Sequence, residues 1–495
     1  MKNIFSKIIL MTLLFSSCTQ LELENYDIIT PSKFLKNASD AEAIVTSCYN
    51  DIMYNGDGGW YSFSAWSFPL IFDMSTDVFR CNWGDGSGAW STQFKQSYTP
   101  TNGGFTHGIW GQYRNISRHT LNIDRIQSIN DVGFKDELKN RYISEIKAIR
   151  AWTAYLLYTS FGTFPIATLE QLKNPLDEVE LERSSVETVE SLIENDLNDA
   201  IANLPVDYSD AEYGRVTKGH AMMLLLKFYM FKKRWSEAEN VARDIIALGK
   251  YDLMANYKDI FTKENRRNKE LIYSIPASET TGGNYWVSWT LPYNFPTENP
   301  TIDKWNGYRL SWEFYETFEE GDERLETIFD EYVTTTGETI SRENDSDGIL
   351  RWGPIPLKYG EDPDVKGYKS SIDLVVFRYS DVLLSLAEAI NNTVGPTEEA
   401  IALVDRIRAR VGLPKLLEEQ TADRGSFNNA ILHERKHELY CEGFSREDLI
   451  RHGKLIETLS QFPGSNPSLD KILYPIPQSA ITRSKGIIKQ NPGYN

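Results

Sequence analysis

Apolar residues recur at helical spacing along most of the chain. In RYISEIKAIRAWTAYLLYTSFG (residues 141–162), Ile143, Ile146, Ile149, Ala154 and Leu157 fall three to five apart and share one helical face. Gly162 ends that stripe and Pro165 follows, as a helix stop requires. A second region, GHAMMLLLKFYMFKKRWSEAENVARDIIALGKYDL (219–253), predicts two helices. Leu225 and Tyr229 mark the first, a short basic break follows, and Trp235, Ala238 and Val241 start the second. Three more helical stretches lie near the C-terminus: FRYSDVLLSLAEAINN (377–392), TEEAIALVDRIRARVGLP (397–414) and FNNAILHERKHELYCEG (427–443). The pattern predicts a mainly α fold.

Large side chains on the first helix of 219–253, set against small Ala238 on the second, resemble a tetratricopeptide helix pair, although no clean 34-residue repeat runs through the chain. Two stretches break the helical period. Residues 54–113 contain NGDGGWYSFSAWSF, CNWGDGSGAW and TNGGFTHGIW, and residues 281–312 read TGGNYWVSWTLPYNFPTENPTIDKWNGYRLSW. Together they hold nine of the twelve tryptophans. Turn-rich segments seldom supply a core, so concentrated aromatics there predict loops built for contact.

Composition narrows the partners. The chain has 495 residues, 41% hydrophobic and 25% charged, as in a globular protein. A net charge of −18 argues against nucleic acid and anionic lipid surfaces. The N-terminus MKNIFSKIILMTLLFSSC carries Lys2 and Lys7, an apolar run from Ile8 to Phe15, two serines and Cys18. That run is too short to cross a bilayer and has the layout of a secretory leader over residues 1–17. Cys18 after small residues resembles the acylation site of a bacterial lipoprotein, with acyl chains as the membrane anchor. Cys48, Cys81 and Cys441 have no metal-binding spacing and are expected as free thiols or, at most, one disulfide.

Three motifs invite catalytic readings. His433-Glu434-Arg435-Lys436-His437 fits H-E-x-x-H, in which two histidines on one helical face hold Zn²⁺ and the glutamate acts as base. Two cations between the ligands oppose it, and Tyr440 stands where the extended zinc motif has glycine, although Glu457 could serve as third ligand. The acidic run GYRLSWEFYETFEEGDERLE (307–326) offers carboxylates for glycoside hydrolysis, at a density expected by chance in so acidic a chain. GDGSG (84–88) lacks the context of a phosphate cradle.

The C-terminal half carries a more specific pattern. LHERKHELYCEGFSREDLIRHGK contains Glu434, Arg435, Glu438, Leu439, Glu442, Gly443, Arg446, Asp448, Leu449 and Gly453, and the chain closes on YPIPQSAI and IIKQNPGYN. These motifs resemble the SusD/RagB family of surface lipoproteins from glycan-uptake systems. FRYSDVLLSLAEA, RIRARVGLP, IKAIRAWTAYLLYTSFGTFPI and GRVTKGHAMMLLLKFYMF match it in the same order, so the resemblance runs from Cys18 to Asn495.

The resemblance implies tetratricopeptide-like helix pairs as scaffold and long, irregular, aromatic-rich loops as the ligand face. It implies an N-terminal part (18–270) and a C-terminal part (271–495) forming one compact unit, with the H-E-x-x-H helix serving packing and pairing. The implied protein is a non-enzymatic, lipid-anchored binder, exposed on the outer membrane, that delivers oligosaccharide to a SusC-like TonB-dependent transporter. Peptide capture, as in the RagB branch, is the alternative, and a zinc metalloprotease the remote one. No cofactor is expected, and a Ca²⁺ site built from scattered oxygens leaves no local motif. Sugar rings stack C–H patches on aromatics while charged and amide groups bind hydroxyls. The expected platforms are Trp83, Trp90, Trp286, Trp289, Tyr293 and Trp305, with Asp77 and Arg80 as polar contacts.

Overall fold

The computed structural model describes residues 35–52, 72–83, 88–174, 179–280, 282–462 and 464–494. The leader, Cys18 and the tryptophan-bearing stretch around residues 60–66 lie outside the described residues. Helix α1 (Ala38–Tyr49) is followed by strand β1 (Phe79–Cys81) and by α2 (Gly88–Lys95), α3 (Thr106–Trp110), α4 (Tyr113–Gln127) and α5 (Asp136–Phe161). Then come α6 (Leu169–Lys173), α7 (Val186–Asn203), α8 (Lys218–Phe231) and α9 (Trp235–Ala247). The middle of the chain is irregular, with β2 (Leu271–Ile275), α10 (Trp286–Thr290), β3 (Tyr308–Leu310) and α11 (Trp312–Tyr315). Short strands β4 (Ile328–Phe329), β5 (Tyr332–Val333), β6 (Thr339–Ile340) and β7 (Ile355–Pro356) precede β8 (Leu374–Arg378). The chain closes with α12 (Tyr379–Val394), α13 (Glu398–Arg410), α14 (Arg424–Glu438), α15 (Ser445–Arg451), α16 (Leu455–Ser460) and α17 (Gln478–Arg483).

Local chemistry accounts for the helix ends. Ser185, Thr217, Thr397 and Asp423 each accept a hydrogen bond from a backbone N–H in the first turn of α7, α8, α13 and α14. Gly162 stops α5 at a φ of 75°, a conformation that L side chains rarely adopt. The helices stack side by side in the order α4, α5, α7, α8, α9, α12. Helix α12 then also packs on α13 and α14. Ala238 and Ala242 are fully buried in α9, so α8 and α9 approach closely as the helix-pair pattern requires. Arg150 of α5 and Asp196 of α7 add a buried two-point pair at 2.7 and 2.8 Å.

Two expectations change. The stretch FRYS does not open a helix: Phe377 and Arg378 close β8, which pairs antiparallel with β2, and the helix begins at Tyr379. Residues 54–113 are not wholly loop, since they contain β1, α2 and α3. Helix α4 follows, where only the sparse stripe Ile116, Ile123 and Ile126 marks the buried face. Cys48, Cys81 and Cys441 are buried free thiols, and burial pushes Cys81 up to about 12.

Candidate functional site

Helix α14 carries the H-E-x-x-H stretch, and Glu434, Arg435 and Glu438 on it are buried. Glu434 accepts from Arg324 at 2.6 Å with one oxygen and from Arg408 at 3.3 Å with the other. Glu438 lies between Arg378 at 2.7 Å, Arg410 at 2.6 Å and Arg324 at 3.5 Å. Arg435 reaches Asp381 and Asp448, both at 2.8 Å, and Glu442 just past the helix binds Lys358 at 2.6 Å and Arg378 at 2.7 Å. His437 donates through Nδ1 to the His433 carbonyl at 2.7 Å, and its Nε2 lies 3.0 Å from the Thr317 hydroxyl. Burial holds both imidazoles below the ordinary histidine range. This arrangement opposes the metalloprotease reading, because the glutamate needed as base is paired with two arginines in the interior. The acidic run 307–326 is likewise engaged: Asp322 pairs with Arg324, Glu319 with Arg408 and Glu316 with Arg342.

The second candidate region grows out of the β1–β3 pair. These strands are antiparallel, with Phe79 opposite Leu310, Arg80 opposite Arg309 and Cys81 opposite Tyr308. The chain leaving β1 presents Trp83, and the chain entering β3 presents Trp305. The backbone amides of Trp305, Asn306 and Gly307 donate to the carbonyls of Ser288, Leu291 and Trp289 at 2.8–2.9 Å, which fixes this segment on α10. Arg309 is buried and donates to the carbonyls of Ile349 at 3.0 Å and Thr290 at 2.7 Å and to the Asn306 side chain. Burial lowers its guanidinium to about 10.

On this base sit two groups of rings, in which Trp83, Trp90, Trp305 and Tyr368 are partly exposed and Phe105 and Tyr285 are buried behind them. The Trp83 indole donates to the Trp305 carbonyl at 2.9 Å. Its ring covers Gly307 so closely that a Cβ there would lie 2.4 Å from the indole. Trp83 meets Trp90 edge-on at 5.7 Å, and Trp90 meets Phe105 at 5.4 Å. Trp305 faces Tyr368 at 5.2 Å, and Tyr368 meets Tyr285 at 4.9 Å. Polar groups edge the rings. Asn82 donates to Asn306 at 3.3 Å, and exposed Arg351 donates to the Asn82 carbonyl at 3.0 Å.

The structure therefore divides the expected site residues. Trp83, Trp90 and Trp305 come together. Trp286 and Trp289 do not serve as platforms: they are 2% and 4% exposed, and Trp286 donates to the Pro356 carbonyl at 2.8 Å while packing on Phe79 and Tyr308. Arg80 is also interior, donating to the Thr76 and Phe79 carbonyls at 2.7 Å and covering the Phe462 ring at 4.4 Å. Asp77 binds Lys436 of α14 at 2.5 Å and so tethers the two halves of the chain. Tyr293 is 63% exposed, and its hydroxyl donates to Asp347 at 2.9 Å. Tyr368, Asn82, Asn306 and Arg351 escaped the sequence reading. Tyr368 stands in KGYKSS, with no aromatic neighbours to signal it.

Comparison with known proteins points one way. A model of the SusD family matches residues 352–494, and a second, described as starch-binding associating with outer membrane, matches residues 22–230. A SusD-like protein of Formosa agariphila is 26% identical over 385 residues, 71% of this chain and 73% of its own length. A solved laminarin binding SusD-like protein superposes with a TM-score of 0.74 and 25% identity, over 93% of this chain and 100% of its own. Surface glycan-binding protein A of Bacteroides thetaiotaomicron, solved with laminarihexaose, shares the fold at a TM-score of 0.75 and 22% identity, over 92% of this chain and 99% of its own.

Proposed function

Because the chain belongs to the SusD family and has its mainly helical fold, we propose that it is a cell-surface glycan-binding lipoprotein whose ligand face is built by Trp83, Trp90, Trp305 and Tyr368. The observation that carries this reading is the gathering of these partly exposed rings, from sequence positions far apart, into two groups joined by the Trp83–Trp305 hydrogen bond and edged by Asn82, Asn306 and Arg351. Each ring offers an apolar face to the C–H side of a pyranose, and amides and a guanidinium bind hydroxyls in the sugar plane. Several rings held by backbone hydrogen bonds are preorganised, so little order is lost on binding. The laminarin-binding relative supports a neutral glucan as the first ligand to test.

In this reading Cys18 carries the lipid that holds the protein on the outer membrane. Bound oligosaccharide passes unhydrolysed to a SusC-like TonB-dependent transporter. The test uses soluble protein beginning after Cys18, run through native gels containing laminarin and other plant, host and microbial polysaccharides, beside a casein-peptide titration. Retardation by a polysaccharide is expected, together with roughly tenfold weaker binding in Trp305→Ala and Tyr368→Ala. Peptide binding without any retardation would replace glycan capture by peptide capture.

A further inference from the structure

A second cleft lies between the α3–α4 junction, the irregular backbone at Pro165 and at 179–181, and α17 with the turn after it. Its volume is about 420 Å³, within the range of small-ligand pockets, roughly 300–1,000 Å³. Trp110, Tyr113, Pro165, Leu181, Ile487 and Ile488 supply an apolar lining. Arg114, Arg483 and Lys485 line it as well, against the single acid Glu180. For a chain of net charge −18, three cations to one acid is a local reversal of sign.

The cations are also unusually free. Most arginines of this protein are held by carboxylates, as around α14. Arg114 and Arg483 have none within 4 Å among the described residues; Arg114 spends one N–H on the carbonyl of Gly111, just before its helix, and Arg483 one on the carbonyl of Ser479 in its own helix, both at 3.2 Å. Lys485 reaches Glu180 only at 3.4 Å, with both side chains well exposed. Arg114 sits in the first turn of α4, where the helix dipole disfavours a cation. An anion there would be favoured by both the dipole and the guanidinium. Trp110, 2% exposed, has an indole N–H without a hydrogen-bond partner among the described residues. A buried unpaired donor is rare, and Trp110 is one of the residues that line the cleft.

We propose that this cleft is a second ligand site that takes an anionic saccharide unit, one bearing a uronate carboxylate or a sulfate. The guanidiniums of Arg114 and Arg483 would hold the anion through paired N–H donors, Lys485 would add charge, and the Tyr113 ring would pack against the sugar. The choice of a saccharide rests on the glycan-capture reading; the preference for an anion rests on the cleft alone.

The test is titration calorimetry on the full chain in detergent with three probes: tetragalacturonate, a sulfated tetrasaccharide, and hexaglutamate. At least one charged saccharide should bind, more weakly as salt rises. Arg114→Gln and Arg483→Gln should each weaken it about fivefold, and the double variant at least tenfold, with unchanged thermal unfolding. Trp83→Ala should leave this binding intact while weakening a neutral glucan, so the two sites fail separately. No binding of either charged saccharide, binding unaffected by the double variant, or loss with Trp83→Ala instead would overturn the proposal. Hexaglutamate binding as tight as the saccharides would overturn the saccharide assignment.

Discussion

Trp286 and Trp305 belong to one aromatic-rich stretch, yet the fold gives them opposite duties. Trp286 fills the space between Phe79, Tyr308 and Tyr359 and satisfies its N–H on a backbone carbonyl. Trp305 uses its backbone to hold Trp83 and leaves its ring partly in solvent. Truncating a buried tryptophan leaves a cavity, so Trp286→Ala is expected to cost about 3–5 kcal/mol. Trp305→Ala should cost about 1 kcal/mol or less and be felt in ligand affinity. Denaturant unfolding of the two variants, run beside a glycan titration, checks the contrast. If Trp305→Ala unfolds as readily as Trp286→Ala, its ring is packing rather than platform. The neighbouring Gly307 is constrained for a different reason: the Trp83 ring occupies the space any side chain would need.

At the scale of one element, α14 is the electrostatic spine of the C-terminal half. Its buried acids and bases alternate, so that Glu434 and Glu438 meet Arg324, Arg378, Arg408 and Arg410, while Arg435 meets Asp381 and Asp448. Buried charges are tolerable only when paired, and removing one partner leaves the others uncompensated. Glu438→Gln should therefore destabilise the protein by about 3–5 kcal/mol, since three arginines lose their common carboxylate. Urea unfolding measures it; a loss under 1 kcal/mol would mean that solvent reaches the cluster. The same geometry argues against zinc chemistry from the H-E-x-x-H spelling. Spacing put two histidines on one face, but tertiary contacts gave Glu434 to two guanidiniums.

Across the whole molecule, these clusters set the response to acid. Arg435 and Arg451 hold Asp448 down at about 2 against its burial, and Arg451 with His452 holds Glu388 well below the usual carboxylate range. A carboxyl with a lowered folded value stabilises the fold above its unfolded value, about 4, and loses that contribution as pH falls toward its folded value. Asp73 works in the opposite sense. Burial raises it to about 7, so its stabilising effect is present below about pH 4 and is lost as pH rises through 7. The expected profile is a steep drop in melting temperature between about pH 4 and pH 2. Calorimetry across that range should show one transition, because Asp77–Lys436, the Asp73 bonds to Gly443 and Ser445, and the β1–β3 pair bind the two halves together. Two separated transitions would contradict a single cooperative unit.

Helical periodicity, stop signals and the small residue at Ala238 determined the helical scaffold, because those patterns act over a few turns of chain. The same reading placed nine tryptophans in two irregular stretches, since turn residues and aromatics are visible one at a time. Which of those rings face solvent was decided only by the tertiary structure. The β1–β3 pairing joins residues more than two hundred positions apart and, with the contacts packed around it, sets Trp83 beside Trp305 and buries Trp286, Trp289 and Arg80. Tyr368 and Arg351 joined the set through loops whose local sequence carries no sign of it. Composition and periodicity are properties of neighbours along the chain, whereas a binding face is a property of neighbours in space.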